Sequence, residues 1–338
     1  MIPGRDMART VAAARAAAAV YAHPDRTSGM LQLLTSFGPF LASCLAMHLV
    51  YSLNVPLALA LALPTGALVV RVFIVQHDCG HGSFCASRRA NAIVGRLCSM
   101  ITLTPFANWA RQHSLHHGNW ANLDRRSSSD MYSACLTVRE YQALTPWKRA
   151  LYRLPRHPFV AHLILPPLVF VLLYRLPFDT PRRWKRERRS VWLTNAALVA
   201  TFGALVLLLG WREVLLVHLA IMIVASILGV WLFSLQHRFE TAHWARRADW
   251  NPGEASLAGS SWFALPSVLH WLTGNIGFHH VHHLNTLVPN YRLKSAHEVV
   301  HALCPIEPLS LGGGLRAPWL TLWDEAKGRL VGFRDVER

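Results

Sequence analysis

Four long apolar segments constrain the fold of this chain more than any other feature of its sequence. They cover, approximately, residues 31–51, 55–75, 191–210 and 214–235. Each is close to the roughly 20 apolar residues that a helix needs to cross a bilayer. Only Ser52-Leu53-Asn54 joins the first two segments, and only Trp211-Arg212-Glu213 joins the last two. Because such short links reverse the chain directly, the sequence predicts two antiparallel transmembrane hairpins.

The composition agrees with an integral membrane protein. The 338 residues are 52% hydrophobic and 15% charged, whereas a disordered chain has low hydrophobicity and high charge. The six cysteines form no CxxC pair, so they indicate no disulfide framework, zinc ribbon or iron–sulfur cluster. Two shorter apolar stretches, at about 91–107 and 159–176, contain polar residues or prolines and are expected to form interfacial or half-buried helices. The predicted fold class is therefore all-α.

The excess of basic residues predicts how the chain is oriented. It has 34 Lys and Arg against 18 Asp and Glu, and Pro181–Arg189 alone holds six basic residues. Because basic residues accumulate in cytoplasmic loops, both termini and the long loop 76–190 are expected in the cytoplasm. The basic residues flank membrane spans, so nucleic-acid binding is not expected. Arginine supplies 30 of the 34, which favours a bacterial source and hence the inner membrane.

Many of the 19 histidines occur in clusters. Three clusters have the spacing of residues on one helix face, three or four positions apart. They are His77 and His81; His113, His116 and His117; and His279, His282 and His283. A further histidine, His237, directly follows the fourth apolar segment. The predicted topology places all of these groups at the cytoplasmic side of the membrane.

Eight or nine neutral imidazoles exceed what one four-coordinate zinc ion uses. The pattern therefore predicts two metal ions, and because imidazole binds iron, copper, zinc and nickel alike, the spacing leaves the metal open. His280 projects about 100° from His279 and is expected beside the ligands or at the surface. The other histidines are interpreted as hydrogen-bonding groups within the bundle (His48, His162 and His218) or as surface and loop residues (His23, His157, His243, His270, His297 and His301).

The residues around the histidines resemble a known family. The segments concerned are HDCGHGSF (77–84), HSLHHGNWANLDRR (113–126), LTVREY (136–141), GVWLFSLQHRFE (229–240) and NIGFHHVHHLNTLVPNYRL (275–293). They are similar to the membrane fatty acid desaturases, and most similar to bacterial acyl-lipid desaturases of the omega-6 (Δ12-like) kind. The resemblance implies a four-span bundle capped by a cytosolic histidine-box region. It also implies a desaturase domain over 31–300, between a cytosolic arm (1–30) and a cytosolic tail (301–338).

The resemblance also implies the chemistry. The box histidines, with His237 as a further ligand, would bind two iron ions, and dioxygen would be the co-substrate that introduces a cis double bond into a membrane lipid acyl chain. No catalytic residue beyond the metal site is expected. The His-Pro-Gly-Gly motif of a fused b-type cytochrome does not occur, since His23-Pro24 continues with Asp-Arg. Electrons are therefore expected from a separate ferredoxin-like or b-type cytochrome donor, which the basic surface would help to dock.

The sequence also offers candidates for the residues that surround the metal site. Metal-binding histidines need a partner on the second ring nitrogen, and the candidates are Asp78, Asp124, Glu240, Glu254 and Asn275. Aromatic side chains are expected to line a slot for the acyl chain or to anchor the protein at the membrane interface. They are Trp109, Trp120, Trp244, Trp262, Phe263 and Trp271. Close relatives often have Gly-Ser-Ser-His-Tyr where this chain has Gly-Ser-Ser-Trp262-Phe263, which leaves the double-bond position open.

Two other functions remain open from the sequence. Carotenoid hydroxylases or ketolases and alkane hydroxylases share the histidine boxes but insert oxygen, and the third box with its NTLVPNYRL continuation favours the desaturases over them. A non-catalytic metal transporter or sensor belongs to a different class, and its ligands are expected inside the spans near the midplane. The acyl carrier and the oligomeric state also remain open.

Overall fold

The structure, a computed structural model, describes residues 5–126, 132 and 134–336. Residues 1–4 and 337–338, at the outer ends of the predicted arm and tail, lie outside the described residues. The described part of the chain is mostly helical. Its helices are α1 (Arg5–Ala19), α2 (Arg26–Tyr51), α3 (Val55–Ala60), α4 (Ala62–His81), α5 (Arg88–Thr102), α6 (Phe106–Asn119), α7 (Val138–Gln142), α8 (Pro146–Arg153), α9 (Leu165–Pro167), α10 (Lys185–Leu209), α11 (Trp211–His237), α12 (Pro252–Gly259), α13 (Ser267–Leu272), α14 (His279–Leu284), α15 (Leu293–Leu303) and α16 (Leu311–Arg316).

The four apolar segments form helices long enough to cross a membrane, as the sequence predicts. They are Arg26–Tyr51, Val55–His81, Lys185–Leu209 and Trp211–His237. The second of these is interrupted at Leu61, between α3 and α4. Asn54 caps the start of α3, because its side chain accepts a hydrogen bond from Leu57 N at 3.0 Å. The first hairpin turn therefore lies where the apolar pattern puts it.

The turn of the second hairpin differs from the prediction. The sequence predicts Trp211-Arg212-Glu213 as the link, but these residues begin α11, and Gly210 alone separates α11 from α10. Gly210 has a φ of 86°, a backbone conformation that glycine adopts without steric cost. The prediction was wrong because the charged pair Arg212 and Glu213 interrupts the apolar pattern without interrupting the helix.

α4 lies at the centre of the bundle and packs against α2, α5 and α11. In the span that ends with α4, 61% of the most apolar stretch is buried, against 11% in α10. Phe40 and Met47 of α2 meet Val69 of α4 and Ile221 of α11 in one hydrophobic core. Since α4 is packed on several sides, its last turns, which carry the first histidine pair, are fixed relative to the other helices.

The two shorter apolar stretches form less regular structure. Residues 91–107 are divided between α5 and α6, and Leu103 ends α5 with a positive φ of 54°. Residues 159–176 form π-helical turns on both sides of α9, which contains Pro166 and Pro167. The segments Pro146–Arg156 and Val160–Arg175 together are apolar enough for a further span, but they bend by 48° at their junction. The described residues thus contain four candidate spans, or five if this bent pair is one.

Short strands correct the all-α prediction. They are β1 (Leu136–Thr137), β2 (Trp262–Phe263), β3 (Pro308–Leu309), β4 (Leu322–Asp324) and β5 (Arg329–Val331). β4 pairs with β1 in parallel and with β5 in antiparallel orientation, while β2 and β3 form a separate parallel pair. Strands of two or three residues carry too little alternation to be recognised in a sequence. They attach the C-terminal residues to loops on the side of the histidine boxes.

The N-terminal helix α1 is part of the folded unit. It packs against α12, α14 and α15. Val11, Ala14 and Ala18 are buried in the same core as Val281 of the third histidine box and Val300 of α15. Alanine at these positions lets α1 approach closely because its side chain is small. The predicted N-terminal arm therefore supports the helix that carries the third box.

Candidate metal centre

The predicted ligand histidines are held at the ends of four helices. His77 and His81 lie on the last turns of α4, and His237 is the last residue of α11. The other two groups are on α6 (His113, His116 and His117) and on α14 (His279, His282 and His283). These helix ends converge, so that His77 and His282, more than 200 positions apart in the sequence, have ring centroids only 4.4 Å apart.

Five of these side chains form one group, the five-histidine cluster. It consists of His77, His81, His113, His117 and His282, whose ligand nitrogens all lie within 4.8 Å of one another. His117 Nε2 is 3.1 Å from His113 Nε2 and 3.1 Å from His282 Nε2. The cluster therefore combines one ring or more from each of the three histidine boxes.

The remaining four form the four-histidine cluster. Ligand nitrogens of His116, His237 and His283 lie within 4.8 Å of one another. His279 Nε2 joins them at 3.1 Å from both His237 Nε2 and His283 Nε2. The two clusters adjoin, because the rings of His117 and His283 have centroids 4.1 Å apart. Both clusters draw on the second and third boxes, so their positions are coupled.

The spacing of the nitrogens fits metal coordination. Imidazole nitrogens about 2.1 Å from one ion are separated by roughly 3.0–3.4 Å in octahedral or tetrahedral arrangements, and the Nε2–Nε2 separations here are 3.1–3.2 Å. The Nε2 atoms of His77 and His81 are buried and have no hydrogen-bond partner among the described residues. Buried polar atoms without a partner are costly, and a metal ion would use these lone pairs.

Burial keeps the imidazoles available as ligands. It holds the pKa of His113, His117, His279, His282 and His283 well below the ordinary value of 6.5, and the neighbouring imidazoles lower the pKa further. At neutral pH these rings are therefore uncharged. A neutral imidazole has one nitrogen with a free lone pair, which is the form that binds a metal.

Asp78 connects the first box to the segment that follows the third. Its Oδ1 lies 3.0 Å from His77 Nδ1, and its Oδ2 accepts hydrogen bonds from Asn290 N at 2.6 Å and Asn290 Nδ2 at 2.8 Å. Gln32 Nε2 in turn donates to Asn290 Oδ1 at 2.7 Å. Asn275 donates from Nδ2 to the Asn290 carbonyl at 3.2 Å. Of the candidate partners from the sequence, Asp78 contacts a box histidine directly, whereas Asn275 is connected to His77 through Asn290 and Asp78.

Two of the other candidate carboxylates pair with arginines instead of with box histidines. Asp124 Oδ1 accepts from Arg246 Nη1 at 2.9 Å, and Glu240 Oε1 accepts from Arg329 Nη1 at 2.6 Å. Glu254 is in the first turn of α12. The structure therefore corrects the expectation for Asp124 and Glu240: their partly exposed carboxylates are satisfied by guanidinium groups, which proximity in the sequence did not reveal.

Two of the predicted aromatic residues cover the clusters. Trp109 stacks on His113, with centroids 4.6 Å apart and planes 17° apart. Trp120 lies over His237 at 4.0 Å, and Trp244 contacts Trp120 at 5.0 Å. Phe263 is fully buried against Trp231. Large apolar rings thus cover part of both clusters, while His81 and His117 remain partly accessible.

The other two predicted aromatic residues, Trp262 and Trp271, line a cavity of about 700 Å³. Arg71 and Lys294 contribute positive charge to its wall, and Asn290 joins it to the Asp78 network. The Arg71 guanidinium lies over the Trp271 ring at 4.2 Å. The cavity therefore combines cations and apolar rings next to the groups that hold His77.

His280 and His297 form a buried pair beside the clusters. His280 Nε2 lies 3.1 Å from His297 Nδ1, and burial lowers the pKa of His280 to about 3 and that of His297 to about 4. The Phe278 ring stacks on His297 at 4.7 Å. The sequence predicts His297 at the surface, but α15 packs this side chain inside, where only 6% of it is exposed.

The comparisons with known proteins agree with this site. The family model described as fatty acid desaturase matches residues 52–312, and the chain belongs to the fatty acid desaturase family. A fatty acid desaturase of Bacillus subtilis is 39% identical over 319 residues, which cover 94% of this chain and 90% of the relative. An sn-1 oleoyl-lipid 12-desaturase of Synechocystis is 28% identical over 69% of this chain and 65% of its own length. An sn-1 acyl-lipid omega-3 desaturase (ferredoxin) of the same organism is 29% identical over 70% and 65%.

The family fixes the class of reaction. The protein is an oxidoreductase that desaturates fatty acyl chains, its substrate is a lipid, and its apolar helices suit a protein of the membrane. The histidine clusters provide the metal centre that this chemistry needs. Oxygen-inserting enzymes and non-catalytic metal proteins, which the histidine pattern alone left open, are not the class that the comparisons indicate.

Proposed function

We propose that this desaturase acts on lipid-bound acyl chains with Δ12-like selectivity, using dioxygen at a pair of iron ions. The observation that carries the proposal is the convergence of nine imidazoles into two adjoining clusters. One cluster would hold each ion. The Δ12-like selectivity draws its support from the Synechocystis relative named as an oleoyl-lipid 12-desaturase.

The iron pair, when bound, supplies the oxidising power to remove hydrogen from unactivated methylene groups, which no protein side chain can do. The chain's own residues would position the two ions and shield their ligands. The box histidines would hold the ions through Nε2. Asp78 Oδ1 would accept a hydrogen bond from His77 Nδ1–H, which keeps the proton on Nδ1 and leaves the His77 Nε2 lone pair free. Trp109 and Trp120 would shield His113 and His237 from water.

The cavity lined by Trp262 and Trp271 is the proposed entrance for the lipid. An acyl lipid carries a polar headgroup and a long apolar chain, and this cavity offers both kinds of surface. Arg71 and Lys294 would attract an anionic headgroup, while the aromatic rings would contact the chain. Because Asn290 belongs both to the wall and to the Asp78 network, a lipid bound here lies next to the groups that position His77.

A separate acidic donor is proposed to dock on the basic segment Pro181–Arg189. Its exposed cations are Arg182, Arg183, Lys185, Arg186 and Arg189. The segment adjoins α6, since Ala107 N donates to Ser190 Oγ at 3.2 Å and the Arg111 guanidinium lies over Trp184 at 5.2 Å. Complementary charge would steer the donor to the side of the molecule that carries the second box. The ferredoxin named for one relative is a donor of this kind.

The orientation proposed is with the boxes, both termini and this basic segment in the cytoplasm, in a bacterial inner membrane. The positive-inside rule supports it, because Pro181–Arg189 lies at the start of α10 and further arginines follow the helices that end at His81 and His237. The desaturase domain is proposed over residues 31–300. Reporter fusions test the orientation: a cytoplasmic reporter should be active at the C-terminus and inactive when inserted at Leu53.

Lipid analysis tests the reaction. The chain is expressed in a bacterium that makes saturated and monounsaturated phospholipids, and the fatty acids are identified by gas chromatography and mass spectrometry. We expect new cis double bonds at the Δ12 position in cells with the wild-type chain and none with the His282→Ala variant. Hydroxylated chains would contradict desaturation, and new bonds elsewhere would contradict the Δ12-like selectivity while leaving the family activity intact.

Steady-state kinetics with purified ferredoxin test the docking surface. Replacing Arg182 and Arg183 with Glu should raise the KM for ferredoxin several-fold and weaken its salt dependence. Iron content and the KM for lipid should not change. Arg316→Glu, at an exposed position outside the segment, is the matched control. Equal KM values for the two variants would contradict docking at Pro181–Arg189.

A further inference from the structure

A second group of metal-binding side chains lies far from the histidine boxes. Cys44 and His48 are on α2 and His218 is on α11, and their ligand atoms lie within 4.8 Å of one another. Cys44 and His48 are four residues apart and so share one face of α2. The sequence predicts His48 and His218 only as hydrogen-bonding groups in the bundle, but the structure brings both to a thiol.

His48 is oriented in the manner of a metal ligand. Its Nδ1 lies 2.8 Å from Glu213 Oε1, and its side chain is only 10% exposed. A carboxylate behind an imidazole fixes the tautomer and directs the other nitrogen, as in carboxylate–histidine–zinc sites. The Nε2 atoms of both His48 and His218 are buried without a hydrogen-bond partner within residues 5–126, 132 and 134–336. A cation bound beside the thiol would use both of these lone pairs.

We propose that Cys44 Sγ, His48 Nε2 and His218 Nε2 bind one zinc-like divalent cation. One thiolate and two imidazoles are donors that zinc prefers in proteins, and three protein ligands leave a fourth position for water. Magnesium and calcium prefer oxygen ligands and would not select this set. On binding, a sulfur–metal bond replaces the S–H bond of Cys44, and the thiol proton is released to solvent water.

This site is separate from the iron centre. His218 and His237 are 19 residues apart on α11, which corresponds to about 28 Å at 1.5 Å per residue. That distance is close to the thickness of the hydrocarbon core of a bilayer. The Cys44 site therefore lies at the membrane face opposite the boxes. Since its ligands come from the first and second hairpins, a bound cation would cross-link the two at that face.

Cobalt(II) is the probe that tests the site. It is titrated into the iron-loaded, full-length protein in lipid nanodiscs, and the near-ultraviolet charge-transfer band between a thiolate and cobalt is recorded. The histidine boxes cannot produce this band because their predicted ligands are all nitrogen. We expect the band to saturate at one equivalent and to disappear when one equivalent of zinc is added.

Variants assign the band to these residues. Cys44→Ser should abolish it and His218→Gln should weaken it strongly, whereas Cys304→Ser, at another partly buried free cysteine, should leave it unchanged. Iron content equal to that of the wild type shows that each variant is folded. His282→Ala should retain the band, so failure of the iron centre and failure of this site are distinguishable.

Thermal unfolding gives a second readout. Zinc should raise the melting temperature of the iron-loaded wild type by several degrees, and the shift should be lost in Cys44→Ser and His218→Gln. Desaturation by Cys44→Ser should be unchanged at low temperature. The proposal is overturned if the wild type shows no thiolate–cobalt band, if Cys44→Ser keeps it, or if the melting temperature responds equally in all variants.

Discussion

The carboxylate of Asp78 bridges His77 and Asn290, with Oδ1 3.0 Å from His77 Nδ1 and Oδ2 2.6 Å from Asn290 N. Asp78 is only 1% exposed, so its oxygens are satisfied by these contacts rather than by water. A carboxylate in this position makes the imidazole a stronger ligand and fixes its orientation. It also links the first histidine box to Asn290, a residue 212 positions later in the chain. The position of His77 therefore depends on the segment that contains Asn290.

We expect Asp78→Asn to impair the metal centre without unfolding the bundle. The amide matches the carboxylate in size, but it lacks the negative charge and its nitrogen would face the two Asn290 donors. Loss of such a partner typically lowers metal affinity or activity about 10- to 100-fold. Iron per chain, measured by mass spectrometry, and turnover of lipid should both fall.

Asp124→Asn is the control for this substitution. Asp124 is an exposed carboxylate paired with Arg246, and exposed pairs contribute little to stability. Iron content and turnover should therefore stay within about twofold of the wild type. Wild-type iron content in Asp78→Asn would show that Asp78 has no part in positioning His77.

Two nearby histidines, His280 and His282, are expected to have different roles: His282 as a metal ligand and His280 as a hydrogen-bonding partner of His297. His282 Nε2 points at His117 Nε2 at 3.1 Å, whereas His280 Nε2 points at His297. His282→Ala should abolish desaturation and lower the iron content, while His280→Gln, which retains a hydrogen-bonding group, should keep its iron. Inductively coupled plasma mass spectrometry and lipid profiling measure both effects. Loss of iron in His280→Gln together with retention in His282→Ala would reverse the assignment.

The helical framework could be predicted because its cause is local. Twenty consecutive apolar residues specify a span, and spacings of three and four specify a helix face, so α2, α10 and α11 and the histidine groupings follow from nearby residues. The turn of the second hairpin could not be placed. Gly210 makes the turn through its positive φ, which the apolar pattern does not reveal, and the charged residues Arg212 and Glu213 indicated a longer link. The short strands depend on partners more than a hundred positions away, such as Leu136 with Leu322.

The surroundings of the candidate site were harder to predict for the same reason. Asn290 lies within a segment that resembles the family, yet nothing in its spacing indicates that it donates to Asp78. Proximity in the sequence also assigned Asp124 to the histidines, although Arg246 satisfies it. Cys44 and His218 lie on helices from different hairpins, so only the packing of α2 against α11 brings them together and their sequence positions do not predict it.

Trp271 should affect lipid binding more than metal binding. Its ring lies at the wall of the cavity beneath the Arg71 guanidinium, and truncation removes both apolar contact and a cation–π interaction of about 0.5–2 kcal/mol. We expect Trp271→Ala to raise the KM for lipid several-fold with iron content unchanged, and Trp271→Phe to recover most of the loss. Kinetics with lipid in nanodiscs measure this. A lower iron content with unchanged KM would instead place Trp271 with the metal centre.

The close packing of α4 against α11 depends on Gly66. A Cβ at this position would lie 2.6 Å from Val224 Cγ1 and 3.0 Å from the backbone nitrogen of Ala225. Because the backbone of α11 cannot move aside without disturbing other contacts, Gly66→Ala should destabilise the protein by about 1–3 kcal/mol, as overpacked cores do.

The matched control is Gly203→Ala on α10, where an added Cβ meets no atom within 4 Å and where alanine favours the helix by up to about 1 kcal/mol. Tryptophan fluorescence during heating of the detergent-solubilised protein should show a lower melting temperature for Gly66→Ala and an equal or higher one for Gly203→Ala. Both His77 and His237 depend on the alignment of α4 with α11, so Gly66→Ala should also lose iron at lower temperatures than the wild type. Identical melting curves for the two variants would mean that α11 can shift away from α4, and that the two histidine clusters do not rely on this contact.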